Sequence, residues 1–361
     1  MTGSPDRPPQ NVEIVTSIAP PNPDPSGIAV SKEGRVFLGF PRHADNHQQF
    51  SLAELKDGAL IPFPSRDYVY PSKKPFNEWS VSPHGMTMDG NDVLWVLDDG
   101  KRAGIKEIPE GAAKVVGINI STGKIIASIV IGREAMGDDS HLNDLRVDLT
   151  HGEKGTVYIA NSGFGARYSL VVVDIASGKS REVLLNLPCT SPEPGFVAFL
   201  EGQPKVFDPK RPTFPIGGAD GIALGADSKK VYWTAISGRK LFSIPTAVLS
   251  DFQRSEAELE KAVVFEGEHP ACDGLADNSE GNIYFGAFEQ LSLVKRLPTG
   301  QFELLAHDTR FGWPDGLAYR NGWLYVTLGQ WNRLPGFNDG KELRQPPFLV
   351  VRIRVDHQSQ S

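Results

Sequence analysis

The 361-residue chain carries 37 lysines and arginines against 44 aspartates and glutamates, a formal net charge of -7, with 40% hydrophobic and 22% charged residues. That is the balance of an ordinary soluble globular protein, and with no basic block, zinc-finger spacing or recognition-helix pattern it excludes a nucleic-acid partner. No stretch approaches the roughly 20 apolar residues that span a bilayer, so no membrane partner is expected either.

The polar, proline-rich stretch from Met1 to Val12 has no apolar core behind basic residues and does not read as a secretory signal. A cytoplasmic location is the expectation. Cys189 and Cys272 are too few and too far apart for a disulfide framework and lack metal-ligand spacing. Both are expected as free thiols in a reducing compartment.

Along the chain, Val12-Glu13-Ile14-Val15 has strand character. A pattern then begins that recurs six times: a polar residue, a glycine or its equivalent, a short apolar strand, a polar turn and a second strand rich in β-branched and aromatic residues. Its copies start at Ser26-Gly27-Ile28, His84-Gly85-Met86, Asn143-Asp144-Leu145, Asp220-Gly221-Ile222, Asp273-Gly274-Leu275 and Asp315-Gly316-Leu317. The aligned apolar positions lie about 40 to 80 residues apart, the scale of a propeller blade. Further strand pairs fall between copies, such as Lys114 to Ile118 with Ile125 to Ile131, joined by turns such as Ser121-Thr122-Gly123.

Two insertions stand out. The Pro-rich stretch from Pro188 to Pro215 has the length of a lid or a covering segment. Ser255-Glu256-Ala257-Glu258 has capping-box spacing and predicts a short helix, with Thr246 to Leu249 forming a turn before it. The run Phe348-Leu349-Val350-Val351-Arg352-Ile353 is a final strand. The reading is an all-β, six-bladed β-propeller over residues 12–356, with tails at 1–11 and 357–361. The N- and C-terminal strands join in one blade to close the ring, because a ring buries both faces of every blade.

In a propeller the innermost strands line the channel. The residues entering them, Ser26, His84, Asn143, Asp220, Asp273 and Asp315, are therefore expected around one axis. An Asp before Gly also caps turns, and that structural role stands beside the chemical one for any single pair. Three carboxyls around a channel repel unless a cation or a proton relieves them. Asn143, Asp220 and Asp273 offer oxygen ligands for one divalent cation, Ca²⁺ ahead of Mg²⁺ or Zn²⁺. Otherwise a carboxyl stays protonated and serves as acid or base. His84 suits proton transfer near neutral pH, or is a channel histidine bonded to a neighbour. His43 and His47 are four apart but follow Pro41 in a loop, and they read as surface residues rather than a zinc pair. Asn161-Ser162-Gly163-Phe164-Gly165 follows a strand without opening a helix, a weak phosphate cradle, and no nucleotide cofactor is expected. A nucleophile elbow is absent.

The segments Phe40-Pro41-Arg42, Leu94-Trp95-Val96-Leu97-Asp98, Asn143-Asp144-Leu145-Arg146-Val147-Asp148 and Gly218-Ala219-Asp220-Gly221-Ile222-Ala223-Leu224 resemble the Yellow/major royal jelly protein family. Its bacterial and fungal relatives are often labelled dopachrome-tautomerase-related. The resemblance runs from about Ile14 to Val355 and implies a six-bladed propeller with a small-molecule site at the channel mouth. The family includes proposed tautomerases, amine binders and nutritive proteins. More distantly the chain is similar to the gluconolactonase/regucalcin propellers. Their metal or substrate positions fall on Asn143, Asp220 and Asp273, while their first-blade glutamate falls near Ser26.

Three functions follow as expectations. A tautomerase-type isomerase would use His84, Asp220, Asp273 or Asp315 as acid and base, with Asn143, Arg146, Trp313 and Trp331 binding a small cyclic substrate. A lactone hydrolase would use a divalent ion on Asn143, Asp220 and Asp273. A non-catalytic binder would hold an amine or phenol with the carboxylates and Trp79, Trp313 and Trp331. The sequence says nothing of oligomeric state.

Overall fold

A computed structural model describes residues 12–355. The expected tails at 1–11 and 357–361, and residue 356, lie outside the described residues. Among these residues six four-stranded antiparallel sheets form, as the repeats predict. Their innermost strands are Ile28–Val30, Pro83–Met88, Leu142–Asp148, Ala219–Leu224, Cys272–Asp277 and Pro314–Arg320.

Second strands such as Thr156–Asn161 and Ile283–Ala287 are buried along their whole length. Each is covered by a blade on either side, so they read as continuous β-branched and aromatic runs rather than as an alternation. The outermost strands alternate instead, as in Phe302–His307, where Leu304 is 67% exposed. The strand Glu13–Ile18 pairs with Phe348–Arg354 in the sixth sheet, Glu13 facing Arg352 and Ile18 facing Phe348. The two ends of the chain thus close the ring within one blade, and the Arg352–Glu13 ion pair lies across the seam.

The recurring glycine has a steric cause. A Cβ on Gly27 would lie 2.2 Å from the carbonyl oxygen of His84, one on Gly221 2.4 Å from that of Asp273, and one on Gly274 2.1 Å from that of Asp315. Inner strands therefore approach their neighbours so closely that a side chain does not fit. The Asp-Gly pairs lie inside strands, so the turn-capping alternative does not hold. At these positions the ladder slips, between Pro83 and Met86, Leu142 and Leu145, Ala219 and Ile222, Cys272 and Leu275, and Pro314 and Leu317. A bulge at the same point in five blades re-aims one polar side chain from each toward the axis.

The excursion after the fourth blade's third strand is the helix Glu256–Ala262, with the predicted capping box between Ser255 and Glu258. The segment from Pro188 to Pro215 contains a small hairpin, Ala198–Leu200 with Gln203–Lys205. Its Phe207, Pro212 and Pro215 lie over the channel mouth, which makes it a covering element. Cys189 and Cys272 are both buried free thiols. No helix among the described residues is long and apolar enough to cross a membrane.

Candidate active site

Ser26, His84, Asn143, Asp220, Asp273 and Asp315 do meet at the axis, around a void of about 20 Å³, room for roughly one water molecule. Each is at most 8% exposed. Their hydrogen bonds are specific. Ser162 Oγ donates to Asp220 Oδ2 at 2.6 Å, Trp313 Nε1 to Asp273 Oδ2 at 2.5 Å, and Trp331 Nε1 to Asp315 Oδ2 at 2.6 Å. Asp220 and Asp273 also hydrogen-bond to each other. Two carboxyl groups bond in this way only by sharing a proton.

Burial dominates the electrostatics. It pushes the Asp220 carboxyl up to about 6, against hydrogen bonds from Asp273, Ser162 and Asn143 that hold it down. Asp315 is pushed up to about 7 by burial, against bonds from Trp331 and Ser26. Asp273 stands well above the ordinary carboxylate range through burial and the charges of Asp315 and Asp220. Burial lowers His84 to about 4, so its imidazole is neutral near pH 7. The floor of the site therefore holds protonated and ionised carboxyls together near neutrality.

Above this floor opens a cavity of about 430 Å³. Its walls follow from the topology. The inner strand of each blade runs away from the mouth and the second strand returns to it. The loop leaving that second strand therefore reaches the rim. Lys101, Phe164 and Trp331 stand three residues past the ends of their strands, and His43 stands four past its own. Residues two before the floor positions share their face of the strand, which places His141 and Trp313 in the cavity. Ile216, Ile236, Leu334 and Phe337 complete an apolar wall.

Residues 81–318 match the family model described as "Major royal jelly protein". The chain belongs to this family. Comparison with curated proteins gives no match. Among solved structures, the chain is similar to a gluconolactonase from Xanthomonas campestris, at 10% identity and TM-score 0.52, covering 97% of this chain and 99% of that one. It is also similar to a calcium-binding regucalcin from Agrobacterium tumefaciens, at 12% identity and TM-score 0.51, covering 94% and 93%. A streptogramin B lyase matches at 13% identity and TM-score 0.51, covering 95% and 97%. These likenesses show the shared propeller fold.

Two of the royal-jelly-type segments acquire structural meanings. Leu94 to Asp98 ends at a carboxylate, fully buried, that accepts from Val81 N and Ser82 N at 2.7 Å each and pairs with the equally buried Lys114 at 2.7 Å. It anchors the chain leading to His84. The strand Leu142–Asp148 runs along the channel, with Asn143 in the floor below the mouth and Arg146 and Val147 on the opposite cavity. Arg146 in this segment lies apart from the expected binding residues. It lies three residues, about 10 Å of strand, beyond Asn143 and lines the opposite cavity, bonded to Asp144 at 3.0 Å and Asp277 at 3.4 Å. It does not join Asn143, Trp313 and Trp331 in the mouth cavity. Trp79 also lies elsewhere, buried beside Phe76 and Arg42 in the second blade.

His43 and His47 are not surface residues. His47 is buried with Nε2 3.1 Å from the Phe40 carbonyl, and His43 faces His84 and His141 in the cavity. His141 escaped the sequence reading altogether. Its signal was its place two residues before Asn143, matching Trp313 before Asp315. The Gly163 turn, at φ 60°, closes on its own backbone, and a Cβ there would strike the Arg167 carbonyl at 1.8 Å. It holds Ser162 on Asp220 and Phe164 against His141, ring centroids 4.6 Å apart.

Proposed function

We propose that this protein is a proton-transfer enzyme of the isomerase or tautomerase type, acting on a small, largely apolar cyclic molecule at the channel mouth. The hydrogen-bonded Asp220–Asp273 pair on the floor of an apolar-walled cavity carries the reading. An ionised carboxylate takes a proton from an enolisable carbon or a phenolic oxygen, and a protonated neighbour returns one to another atom of the conjugated system. The proton count of substrate and site is unchanged over the cycle. Asp315, poised at about 7, supplies whichever form the step lacks, and neutral His84 accepts or relays. Trp313 and Trp331 serve twice: their rings wall the substrate and their N–H groups hold Asp273 and Asp315.

A second reading has one observation in its favour. The carboxyl oxygens of Asp220 and Asp273 and the amide oxygen of Asn143 border one void, a set that suits a hard ion such as Ca²⁺. Such an ion would take the place of the shared proton and polarise a lactone carbonyl for attack by water. Purified protein incubated with enolisable cyclic ketones and phenols, with and without chelator, separates these readings. Chelator-insensitive isomerisation, abolished in Asp273→Asn, is the expected result. Lactone hydrolysis that needs Ca²⁺ would establish the second reading. Saturable binding of phenols or amines without turnover would leave a carrier.

A further inference from the structure

Three histidines from three separate segments meet where the floor joins the wall of the cavity. His43 comes from the loop after the first blade's second strand, His84 from the second inner strand, and His141 from the approach to the third. Their ring centroids are 4.7, 4.9 and 5.0 Å apart in edge-to-face contact. One nitrogen from each lies within 4.8 Å of the others.

A core histidine is normally satisfied by a neighbour. Here His43 Nδ1 and His84 Nδ1 are buried with no hydrogen-bond partner among the described residues, and His84 as a whole is only 6% exposed. Beside His141 stands a third unpartnered atom, Asp99 Oδ2, buried and 3.8 Å from His141 Nδ1. A carboxylate behind an imidazole is the usual outer support of a ligating histidine.

We infer that His43, His84 and His141 bind one divalent transition-metal ion, with its open coordination positions facing the cavity. Three neutral imidazoles suit zinc, cobalt, nickel or copper, and discriminate against Ca²⁺ and Mg²⁺, which take oxygen. A tetrahedral ion with bonds of about 2.0–2.1 Å holds its nitrogens roughly 3.4 Å apart, so small ring rotations close the cluster. His84 also borders the void of the floor, but the cluster offers nitrogen ligands from three imidazoles where Asn143, Asp220 and Asp273 offer oxygen. When loaded, the ion supplies a Lewis acid able to hold an anionic or carbonyl oxygen above the carboxyl ring. That last use rests on the proton-transfer reading, whereas the binding itself does not.

The test uses untagged protein, stripped with chelator and titrated with Co²⁺ and Zn²⁺. One equivalent per chain is expected, with a visible Co²⁺ absorption band and a rise in melting temperature. His43→Gln and His141→Gln should each weaken binding by about 100-fold or more, and Asp99→Asn by roughly 10–100-fold. Asp273→Asn should leave it unchanged. Absence of stoichiometric binding overturns the inference, as does binding indifferent to the histidine variants. Loss of binding in Asp273→Asn alone also overturns it, since the ion would then sit in the carboxyl ring. Should His141→Gln fail to fold, His43→Gln, at a half-buried loop position, decides. Turnover in chelator-stripped protein reports on the proton-transfer reading separately.

Discussion

Trp331 donates its indole N–H to Asp315 across 2.6 Å, and Trp313 stands in the same relation to Asp273 at 2.5 Å. In both pairs an aromatic residue of the cavity wall is bonded to a carboxyl of the floor, so wall and floor are mechanically joined. The indole stabilises the ionised form of Asp315, which burial otherwise drives toward protonation. Trp331→Phe keeps the wall and removes the donor. A bond to a charged group is worth about 1.5–3 kcal/mol, so the Asp315 titration should move up by roughly one to two pH units. The carboxyl stretching band, followed by infrared spectroscopy against pH, reads this directly. An unmoved band would mean that the Trp331 bond does not set the titration of Asp315.

Asp273→Asn retains the acceptor for Trp313 and abolishes the shared proton with Asp220. Activity on an enolisable substrate should fall about 10²–10⁴-fold, the range for loss of a general acid or base. Stability at neutral pH should rise at the same time, because the fold holds a proton on Asp273 that the unfolded chain releases, a cost that a neutral amide does not carry. Urea denaturation beside steady-state kinetics checks both. A fall in stability with activity intact would make the pair structural.

The pH dependence of folding has a defined sign. Asp315 in the folded chain sits near 7, above its unfolded value of 3.8, so the folded state holds a proton that the unfolded state releases as pH rises between these values. Its contribution to stability is full below about pH 4 and is lost by about 1.4 kcal/mol per pH unit until pH passes 7. The buried histidines act oppositely. His84, at about 4, stabilises above the unfolded histidine value and loses that contribution as pH falls. The wild-type curve mixes both trends, so the difference between wild type and Asp315→Asn isolates the carboxyl. That difference should decline from pH 5 to 7 and be level from pH 8. A level difference throughout would mean that Asp315 titrates like an exposed carboxylate.

The floor of the site was legible because the repeat places one residue of each blade at the same point of the same strand, and those residues are polar. The rim was not. His43, Lys101 and Phe164 occupy loops of different sequence, and nothing in Pro41-Arg42-His43 alone says that the loop bends inward. What fixes it is Arg42, buried, whose guanidinium bonds the carbonyls of His47, Ser80 and Gln49. Those partners lie up to 38 residues away, beyond the reach of local pattern. The place of Arg146 was illegible for a different reason. Being near Asn143 in sequence, it seemed near in the site, but a strand along the axis carries its residues from one mouth to the other.

The glycines of the repeat make the sharpest structural test, because the same substitution has opposite expectations at two sites. A Cβ at Gly274 would lie 2.1 Å from the Asp315 carbonyl, and backbone on both sides leaves nothing flexible to yield. The fifth and sixth inner strands would have to separate, displacing Asp273 and Asp315 with them. Gly274→Ala should therefore cost at least about 1–3 kcal/mol, the range for overpacking a tight core, and impair activity further through the moved carboxyls. Gly90, in a turn of the second blade, has open space around it, with nothing within 4 Å of where a methyl group would stand. Gly90→Ala should stay within about 0.5 kcal/mol of wild type. Equal effects at both positions, measured by urea denaturation, would mean that the blades do not meet at the axis through their glycines.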